Sequence, residues 1–490
     1  MAGSITNQTT RITDADAGTW TDHGGGQGSS TNTDIFIEPT GSRGRRSDNV
    51  NGHGFSFDNG SNIDLSGANE HVGFWYWATH PAQLNNVADA NPGVLIRIGT
   101  STTNYDGHEA LGADNYGDEG GWRRVWVDIS RTPDSTGGTG LNEAQARYFG
   151  QETSIGNVGG NAQNIMLDAI DYTTTGLLVD GGTAPSPATF EDFVSNDWDT
   201  DTNRYGVTQR IQGGILCYAR LTIADATATI FNDSGFSITF ADQDLCSDTF
   251  MGITIDLQNA SSDIDWGSGT IKSAGSTKRG DIIVTGTSAS FLADGTTLDN
   301  IRLIELTSAA ELNACILVNL LAITQNGGTI DGCTITDANT ADGVALITSD
   351  DPSEIKNNTF NFSDGHAIEI DTPGTYTFTG NIFNGYGADE TNDAAIYNNS
   401  GGAVTLNIQG GGTTPTVRNG ASATTTINNT VNVIATVKNA DDLTDLINGA
   451  AVLIEAAPLG DLPSDATVTI TRSGTTATVS HTAHGLSNGD

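Results

Sequence analysis

Three carboxylates stand close together in one short segment, and paired carboxylates are the groups that hydrolyse glycosidic bonds. Asp364, Glu369 and Asp371 lie in the segment 362–371, together with His366. A glycosidase holds its two carboxyls about 5–5.5 Å apart for retention and about 6.5–9.5 Å apart for inversion. A strand would put Glu369 and Asp371 on one face, roughly 6.5–7 Å apart, which fits an acid/base pair. Outward carboxylates are equally typical of an acidic β-protein. We therefore expect no catalytic residue, keep these three as the alternative, and expect His366 on the surface or in a turn.

A second acidic pattern has the spacing of a metal-binding loop. Asp197, Asp199, Asp201 and Asn203 alternate as in the opening of a calcium loop. Such a loop needs a bidentate Glu at its twelfth position, where Thr208 stands. We expect an acidic surface loop and no cofactor, with a structural calcium as the alternative.

Other catalytic motifs are missing from the sequence. There is no phosphate-binding Gly-rich loop ending in Lys-Ser or Lys-Thr, no His-Glu-x-x-His, no Cys-x-x-Cys and no Gly-x-Ser-x-Gly. Between positions 280 and 417 the only Arg or Lys residues are Arg302 and Lys356. A lyase that abstracts a proton with a basic side chain is therefore not expected.

Tryptophans and arginines supply the candidate contact residues of the N-terminal part. Trp75, Trp77 and Trp122 either form a carbohydrate-facing patch or pack in a core, and we favour the core, with Trp126 beside them. Arg43, Arg45 and Arg46 follow a Gly-rich stretch and are unusual in so acidic a chain. They are candidates for attachment to an acidic partner, and a solvated loop is the alternative.

Composition sets the class of protein. The chain has 490 residues and a net charge of −39, which excludes the phosphate contacts of a nucleic-acid-binding protein and disfavours anionic membranes. No run of about 18 apolar residues exists, so we expect no membrane insertion. The N-terminus has no secretory signal, so we expect assembly in a cytoplasm. The four cysteines are then expected as buried free thiols.

The pattern of strands and turns divides the chain into five segments. Residues 1–50 are polar and Gly-rich and predict a flexible attachment arm. Aromatic strand runs over 51–182 predict a β-sandwich or jelly roll, and 183–212 a connector. Residues 441–490 predict a small, incomplete C-terminal β segment with a hairpin turning at 472–474.

Residues 213–440 repeat weakly, with short apolar-x-Asn/Gly-x-x-apolar units. Units beginning at Leu298, Ile330, Ile355 and Phe378 are offset by 32, 25 and 23 residues. A period in the twenties with alternating strands is typical of a solenoid. We expect an all-β chain whose second half is a right-handed parallel β-helix, with these four side chains stacked inward and Asn or Gly at the corners.

These units resemble the parallel β-helix of the pectate-lyase-like superfamily, and 51–182 more loosely resembles a concanavalin-type sandwich. The segment 477–490, ATVSHTAHGLSNGD, is similar to a segment of bacteriophage tail and fibre proteins. The resemblance implies a virion protein: a tail fibre, tailspike or other appendage for host attachment. A tailspike polysaccharide depolymerase and a capsid decoration or head-fibre protein are the alternatives. It also implies a homo-oligomer, with a trimer expected, that contacts other virion proteins and a host surface glycan.

Overall fold

A computed structural model describes residues 4–7, 10–24, 28–36, 41–47, 52–67, 70–114, 121–156, 163–173, 177–180, 208–211, 213–224, 230–257, 259–275, 278–286, 290–336, 341–362, 364–435, 468–473 and 476–482. Apart from short 3₁₀ turns, of which Pro81–Gln83, Glu143–Gln145 and Pro352–Glu354 are examples, the regular elements in these ranges are β-strands. No helix in this part of the chain is long and apolar enough to cross a membrane. The all-β prediction is confirmed.

The strands, in chain order, are β1 (Ser4–Asn7), β2 (Thr10–Thr13), β3 (Thr19–His23), β4 (Ser30–Asn32), β5 (Ser42–Ser47), β6 (His53–Ile63), β7 (His71–Ala78), β8 (Val94–Gly99), β9 (Tyr105–Leu111), β10 (Gly121–Asp128), β11 (Ser135–Gly137), β12 (Ala146–Thr153), β13 (Gln163–Thr173), β14 (Leu177–Asp180), β15 (Thr208–Ile211), β16 (Gly214–Cys217), β17 (Leu221–Ala224), β18 (Ile230–Ser234), β19 (Ser237–Phe240), β20 (Gly252–Asp256), β21 (Asp263–Gly267) and β22 (Thr270–Ser273). They continue as β23 (Asp281–Val284), β24 (Ser290–Asp294), β25 (Thr297–Asp299), β26 (Leu303–Glu305), β27 (Ala310–Asn313), β28 (Ile316–Val318), β29 (Ala322–Thr324), β30 (Thr329–Asp331), β31 (Thr334–Thr336), β32 (Ala345–Ser349), β33 (Ile355–Lys356), β34 (Thr359–Asn361), β35 (His366–Ile370), β36 (Gly374–Thr379), β37 (Ile382–Asn384), β38 (Ile396–Asn398), β39 (Ala403–Gln409), β40 (Val417–Asn419), β41 (Thr424–Ala435), β42 (Val468–Ser473) and β43 (Thr476–Thr482).

The chain forms two compact units. The first unit comprises Met1–Phe291 and Asp299–Arg302, and the second comprises Leu292–Leu298 and Leu303–Asp490.

Two antiparallel sheets build the sandwich of the first unit. Sheet N1 has the order β10-β7-β13-β5-β4, with β2 also on β13, and sheet N2 has the order β11-β9-β8-β12-β6-β3. Alternation along the strands gives each sheet one apolar face. The two faces share a core that includes Phe55, Phe74, Tyr76 and Phe149, all fully buried.

The opposite face of sheet N1 is also covered. Trp75 and Trp126 point away from the sandwich core, because their chain neighbours Phe74 and Val125 belong to it. Trp75 meets Tyr218 edge to face, with ring centroids 5.5 Å apart. Parallel coils of the same unit therefore pack on the sandwich.

The segment 1–50 is not an arm separate from the sandwich. It contributes β2, β4 and β5 to sheet N1 and β3 to sheet N2. Its polar, Gly-rich sequence supplies little core, as expected, but its backbone groups pair with β13 and β6. The sandwich therefore begins before residue 51. Of the predicted connector 183–212, the structure describes 208–211, which form β15.

The first parallel coils also lie in the first unit. Strands β14, β17, β20 and β23 pair in parallel, as do β16, β19 and β22. Leu221, Ile253 and Ile282 stack inward in register along the first set. Strands β1 and β15 pair antiparallel with β14 and β16, and so cover strand edges that would otherwise be open to other chains.

In the second unit β36, β39 and β41 pair in parallel, and the chain also runs through three further parallel sheets in turn. We call them S1 (β26-β29-β32-β35-β38-β40), S2 (β28-β31-β34-β37) and S3 (β27-β30-β33). The inward column of S1 consists of buried β-branched side chains: Ile304, Ile323, Ile347, Ile368, Ile396 and Val417. Each buried side chain contributes about 1.5–3 kcal/mol. This is the predicted parallel β-helix; parallel pairing does not fix its hand, so the right-handed sense remains a prediction.

Left-handed backbone forms the corners, as predicted. The residue after each S3 strand has a positive φ: 50° at Ala314, 66° at Gly332 and 57° at Asn357. Asn300, after β25, has a φ of 60°. Glycine and asparagine tolerate this conformation better than other residues.

The next inward position carries a ladder of buried side chains. Asn381 Oδ1 accepts from the Asn358 amide at 3.0 Å, and Asn358 Oδ1 accepts from the Cys333 amide at 2.8 Å. Asn358 Nδ2 donates to the Ile330 carbonyl at 2.8 Å. Asn358 and Asn381 thus bond backbone groups of neighbouring coils from buried positions next to the corners. Cys217, Cys246, Cys315 and Cys333 are free and buried, as predicted.

The four predicted inward residues are all buried, but one was assigned to the wrong column. Leu298, Ile330, Ile355 and Phe378 are at most 1% exposed. Ile330 pairs with Ile355, and its partner in the coil before is Leu312. Leu298 lies in β25, which neighbours the S2 strands. The offset of 32 between Leu298 and Ile330 is therefore not the length of one coil. Coil lengths vary along the chain, for example 18 residues between Leu312 and Ile330 and 25 between Ile330 and Ile355.

The predicted C-terminal hairpin is present, but Arg472 and Ser473 belong to strand β42 and not to the turn. Strands β42 and β43 pair antiparallel, with Ser473 opposite Thr476, and β43 also pairs with β41. The rest of 441–490 lies outside the described residues.

Candidate functional site

One outward row of sheet S1 brings chemically different side chains together. In-register pairing aligns Thr348 with Glu369, Glu369 with Tyr397, and Tyr397 with Arg418. These side chains point outward because their neighbours in each strand, such as Ile368 and Ile396, fill the inward column. A carboxylate, a phenol ring and a guanidinium thus follow one another on adjacent strands.

An asparagine fixes Glu369 and Tyr397 relative to each other. Asn399 Nδ2 donates to Glu369 Oε1 at 2.7 Å, and the Tyr397 hydroxyl donates to Asn399 Oδ1 at 3.2 Å. Glu369 is half-buried. One of its carboxylate oxygens therefore has a fixed donor.

The His366 ring stacks against one face of the Tyr397 ring. The two rings stack with centroids 5.1 Å apart, and His366 Nδ1 lies 2.6 Å from the Ala394 carbonyl oxygen. Since a carbonyl only accepts, Nδ1 carries the proton and Nε2 accepts from Arg418 at 3.4 Å. Burial lowers the pKa of His366, and its hydrogen bond to Ala394 partly opposes this. The prediction of a surface or turn histidine was wrong: His366 is fully buried at the start of β35.

The other two candidate carboxylates are exposed. Asp371 follows β35 on the outward side and accepts from the Thr372 hydroxyl at 2.9 Å. Asp364 lies in the turn before the strand. The structure thus holds Glu369 in a network and leaves Asp364 and Asp371 in solvent. Within the described ranges, no group of three or more His, Cys, Asp or Glu residues is arranged to hold a metal ion.

The tryptophans do not form one exposed patch. Trp75 is fully buried, while Trp77 and Trp122 form a half-buried cross-strand pair. Trp75 therefore cannot contact a saccharide. Trp75 is buried because Tyr218 packs on it from outside sheet N1. Strand alternation alone does not reveal this contact.

The arginines predicted for attachment belong to strand β5. Arg43 donates from Nε to Ser29 Oγ at 2.9 Å and from Nη2 to the Ser29 carbonyl at 2.8 Å. Arg45 is buried and donates to the His23 carbonyl at 2.7 Å. Arg46 lies in the same strand, and its side chain is outside the described residues. Arg43 and Arg45 therefore stabilise local structure rather than extend into solvent. Asp197, Asp199, Asp201 and Asn203 lie outside the described residues.

Sheet S2 has an outward face without a charged residue. We call it the uncharged face; its eight positions are Ile316, Val318, Thr334, Thr336, Thr359, Asn361, Ile382 and Asn384. Ile316 is 48% exposed and Ile382 is 37% exposed. The outward residues of S3 include Glu311, Asp331 and Lys356, and those of S1 include Glu305, Glu369 and Arg418.

Sequence reasoning missed Tyr397, Asn399 and Arg418. Alternation in 394–398 would have marked Tyr397 as outward, but only the coil register aligns it with Glu369. The variable coil length hides that register from the sequence.

No protein-family model matches the chain, and no curated protein matches it. Among solved structures it is similar to catalytic domains of GH87 alpha-1,3-glucanase. A variant in complex with nigerose has 10% identity, covering 83% of this chain and 84% of that one, with a TM-score of 0.21. A variant in complex with tetrasaccharides has 10% identity, covering 87% and 98%, with a TM-score of 0.16. At these scores the function of this chain has to be argued from its own residues.

Proposed function

We propose that the chain is a structural component of a bacteriophage particle, an appendage for host attachment that assembles with copies of itself. The uncharged face of sheet S2 carries this proposal. A chain with a net charge of −39 repels its own copies over most of its surface. Two copies approach most easily where no carboxylate is exposed.

The two outward rows of the uncharged face differ in what they offer a partner. In one row, Asn384 Nδ2 donates to Asn361 Oδ1 at 3.2 Å, and Asn361 Nδ2 to Thr336 Oγ1 at 3.3 Å. These amides are satisfied within the coil stack. The other row presents Ile316, Thr334, Thr359 and Ile382 about 4.8 Å apart. Such a flat β-branched stripe supports packing of identical stripes around a common symmetry axis.

Symmetry and sequence add to the proposal. Identical chains close most simply by cyclic symmetry, and three copies is the number expected from the resemblance to phage fibres. The similarity of 477–490 to phage tail and fibre proteins supports the virion assignment. The exposed Asp364 and Asp371, away from the network of Glu369, favour an assembly role over a depolymerase.

The first test is the oligomeric state. Native mass spectrometry should give three times 50.9 kDa for the unmodified chain. Thr334→Asp places like charges opposite each other in the interface, and such juxtaposition costs several kcal/mol; we expect monomer. The matched control is Thr324→Asp, on the outward row of the charged sheet S1, which should remain oligomeric. A monomeric unmodified chain, or equal masses for both variants, would contradict the proposal.

The second test locates the protein. Gold-labelled antibodies against the chain should bind the tail of the phage that encodes it. Label confined to the head would overturn the appendage in favour of a decoration or head-fibre protein, and unlabelled particles would overturn the virion assignment.

A further inference from the structure

We propose that Tyr397 is the platform of a binding site for a neutral hexose unit of a polysaccharide, with Glu369 and Arg418 as its hydrogen-bonding partners. The inference rests on the attachment role proposed above and names the ligand class and the residues.

The order of the three side chains fits a sugar ring. Adjacent strands lie about 4.8 Å apart, so Glu369 and Arg418 are roughly 10 Å apart at the backbone, with Tyr397 between them. A hexose has an apolar C–H face and a rim of hydroxyls that both donate and accept. The face packs on the aromatic ring. Rim hydroxyls that reach past the edge of the ring then donate to the carboxylate and accept from the guanidinium.

One face of the Tyr397 ring remains available for this contact. His366 stacks on the ring, and the Arg418 guanidinium carbon lies 5.1 Å from the ring centroid. Because Arg418 Nη1 also lies 3.4 Å from His366 Nε2, the histidine and the guanidinium cannot be on opposite faces of the ring. Tyr397 is half-buried, which fits a ring supported on one side only.

The partners are held in place and retain bonding capacity. Asn399 fixes Glu369 Oε1 and the Tyr397 hydroxyl, and leaves Glu369 Oε2 for a ligand. In the described part of the chain Arg418 pairs with no carboxylate within 4 Å, and its one polar contact is His366. Groups that are already ordered lose little conformational freedom on binding.

Two cross-linked loops form a wall beside Arg418. The Gly343 amide donates to the Asn392 carbonyl at 3.2 Å, and Asn392 Nδ2 donates to Asp342 Oδ2 at 3.2 Å. Gly343 has a φ of 78°, and a Cβ there would lie 3.5 Å from Arg418 Nη1. The backbone thus comes close to the guanidinium and limits its movement.

Local charge decides between kinds of sugar. The segments next to the Arg418 guanidinium carry Asp342, Glu369 and Glu390, so an acidic sugar gains one ion pair and meets several repulsions. A neutral hexose meets no such repulsion. The site therefore favours neutral over uronic-acid-containing chains.

The test uses the full chain on an array of bacterial surface polysaccharides, then calorimetry with a neutral hexose oligosaccharide that binds. Tyr397→Ala should weaken binding at least about tenfold, and Tyr397→Phe should retain most of it, because the ring is the platform. Arg418→Gln and Glu369→Gln should each weaken binding, while the control Thr348→Ala, one strand away, should not. Unfolding midpoints of all variants exclude general destabilisation.

Three outcomes would overturn the inference: no binding to any hexose-containing glycan, binding by Tyr397→Ala equal to that of the unmodified chain, or binding restricted to uronic-acid chains. New reducing ends that disappear with Glu369→Gln would also overturn it, in favour of catalysis. The oligomeric mass and the antibody label do not depend on this site. A chain that assembles on the particle but binds no hexose would therefore contradict only the saccharide site.

Discussion

Replacing Trp126 by alanine should destabilise the first unit strongly. The side chain is fully buried, its ring lies 5.6 Å from that of Phe250, and the Arg124 guanidinium carbon lies 4.5 Å from the ring. Truncating a buried Trp costs about 3–5 kcal/mol. Loss of the cation–π contact adds about 0.5–2 kcal/mol, so we expect about 3.5–7 kcal/mol.

The backbone contacts of this position should survive the substitution. The Trp126 amide donates to Gln243 Oε1 at 3.1 Å, and Gln243 Nε2 donates to the Arg124 carbonyl at 3.1 Å. These bonds need no indole ring. The loss therefore reports the packing of the coils on sheet N1 and not the disruption of β10.

Denaturant unfolding of the full chain measures the effect, with hydrogen exchange of residues 121–128 assigning it to sheet N1. Trp126→Phe is the control. It keeps an aromatic ring and removes an indole Nε1–H that is buried without a hydrogen-bond partner in the described part of the chain. We expect a loss of about 1–2 kcal/mol, because the smaller ring is partly offset by removal of an unsatisfied donor. A loss under about 1 kcal/mol for Trp126→Ala would refute the packing, since surface changes have that size.

Two further predictions concern buried polar groups. Asn358→Ala should destabilise the second unit by about 3 kcal/mol, because the Cys333 amide and the Ile330 carbonyl lose their hydrogen bonds to the Asn358 side chain. The control Asn357→Gly, at the adjacent left-handed corner, should change the unfolding free energy little. Equal losses for the two variants would contradict the stabilising role of the asparagine ladder. Burial, with a smaller contribution from Arg131, lowers the pKa of His108 from 6.5 to about 4. Below pH 6.5 the unfolded chain therefore binds a proton that the folded chain does not, and the first unit should lose up to about 3 kcal/mol between pH 6.5 and 4. His108→Gln should flatten the pH dependence of unfolding over this range, and an unchanged slope would refute the assignment.

Composition and alternation predicted the fold class well, because strand and turn preferences are local. They did not predict which part of the protein packs on each face of a strand. Trp75 and Trp126 were expected in the sandwich core, but they lie on the opposite face of sheet N1, which is also buried. Coil register also escaped prediction, as Leu298 shows, because the distance along the chain between stacked residues is not constant.

The candidate site depended on that missing information. Glu369 was recognised from its residue type, whereas its neighbours Tyr397 and Arg418 are 28 and 49 positions further along the chain. Only the parallel pairing of β35, β38 and β40 joins them. The strands of 1–50 were missed for another reason, since backbone pairing with β13 and β6 leaves little trace in a polar sequence.

The asparagine ladder has a consequence for how the second unit folds. The inward column of S1 is nearly uniform isoleucine. If this column were the only constraint, a coil that stacked in the wrong register would still bury apolar surface. Asn358 and Asn381 remove this ambiguity, because each carboxamide is satisfied only when its neighbour stands directly above or below it. A misplaced coil would bury a carboxamide without a partner, at a cost of about 1–3 kcal/mol. The two asparagines therefore fix the register in which successive coils stack.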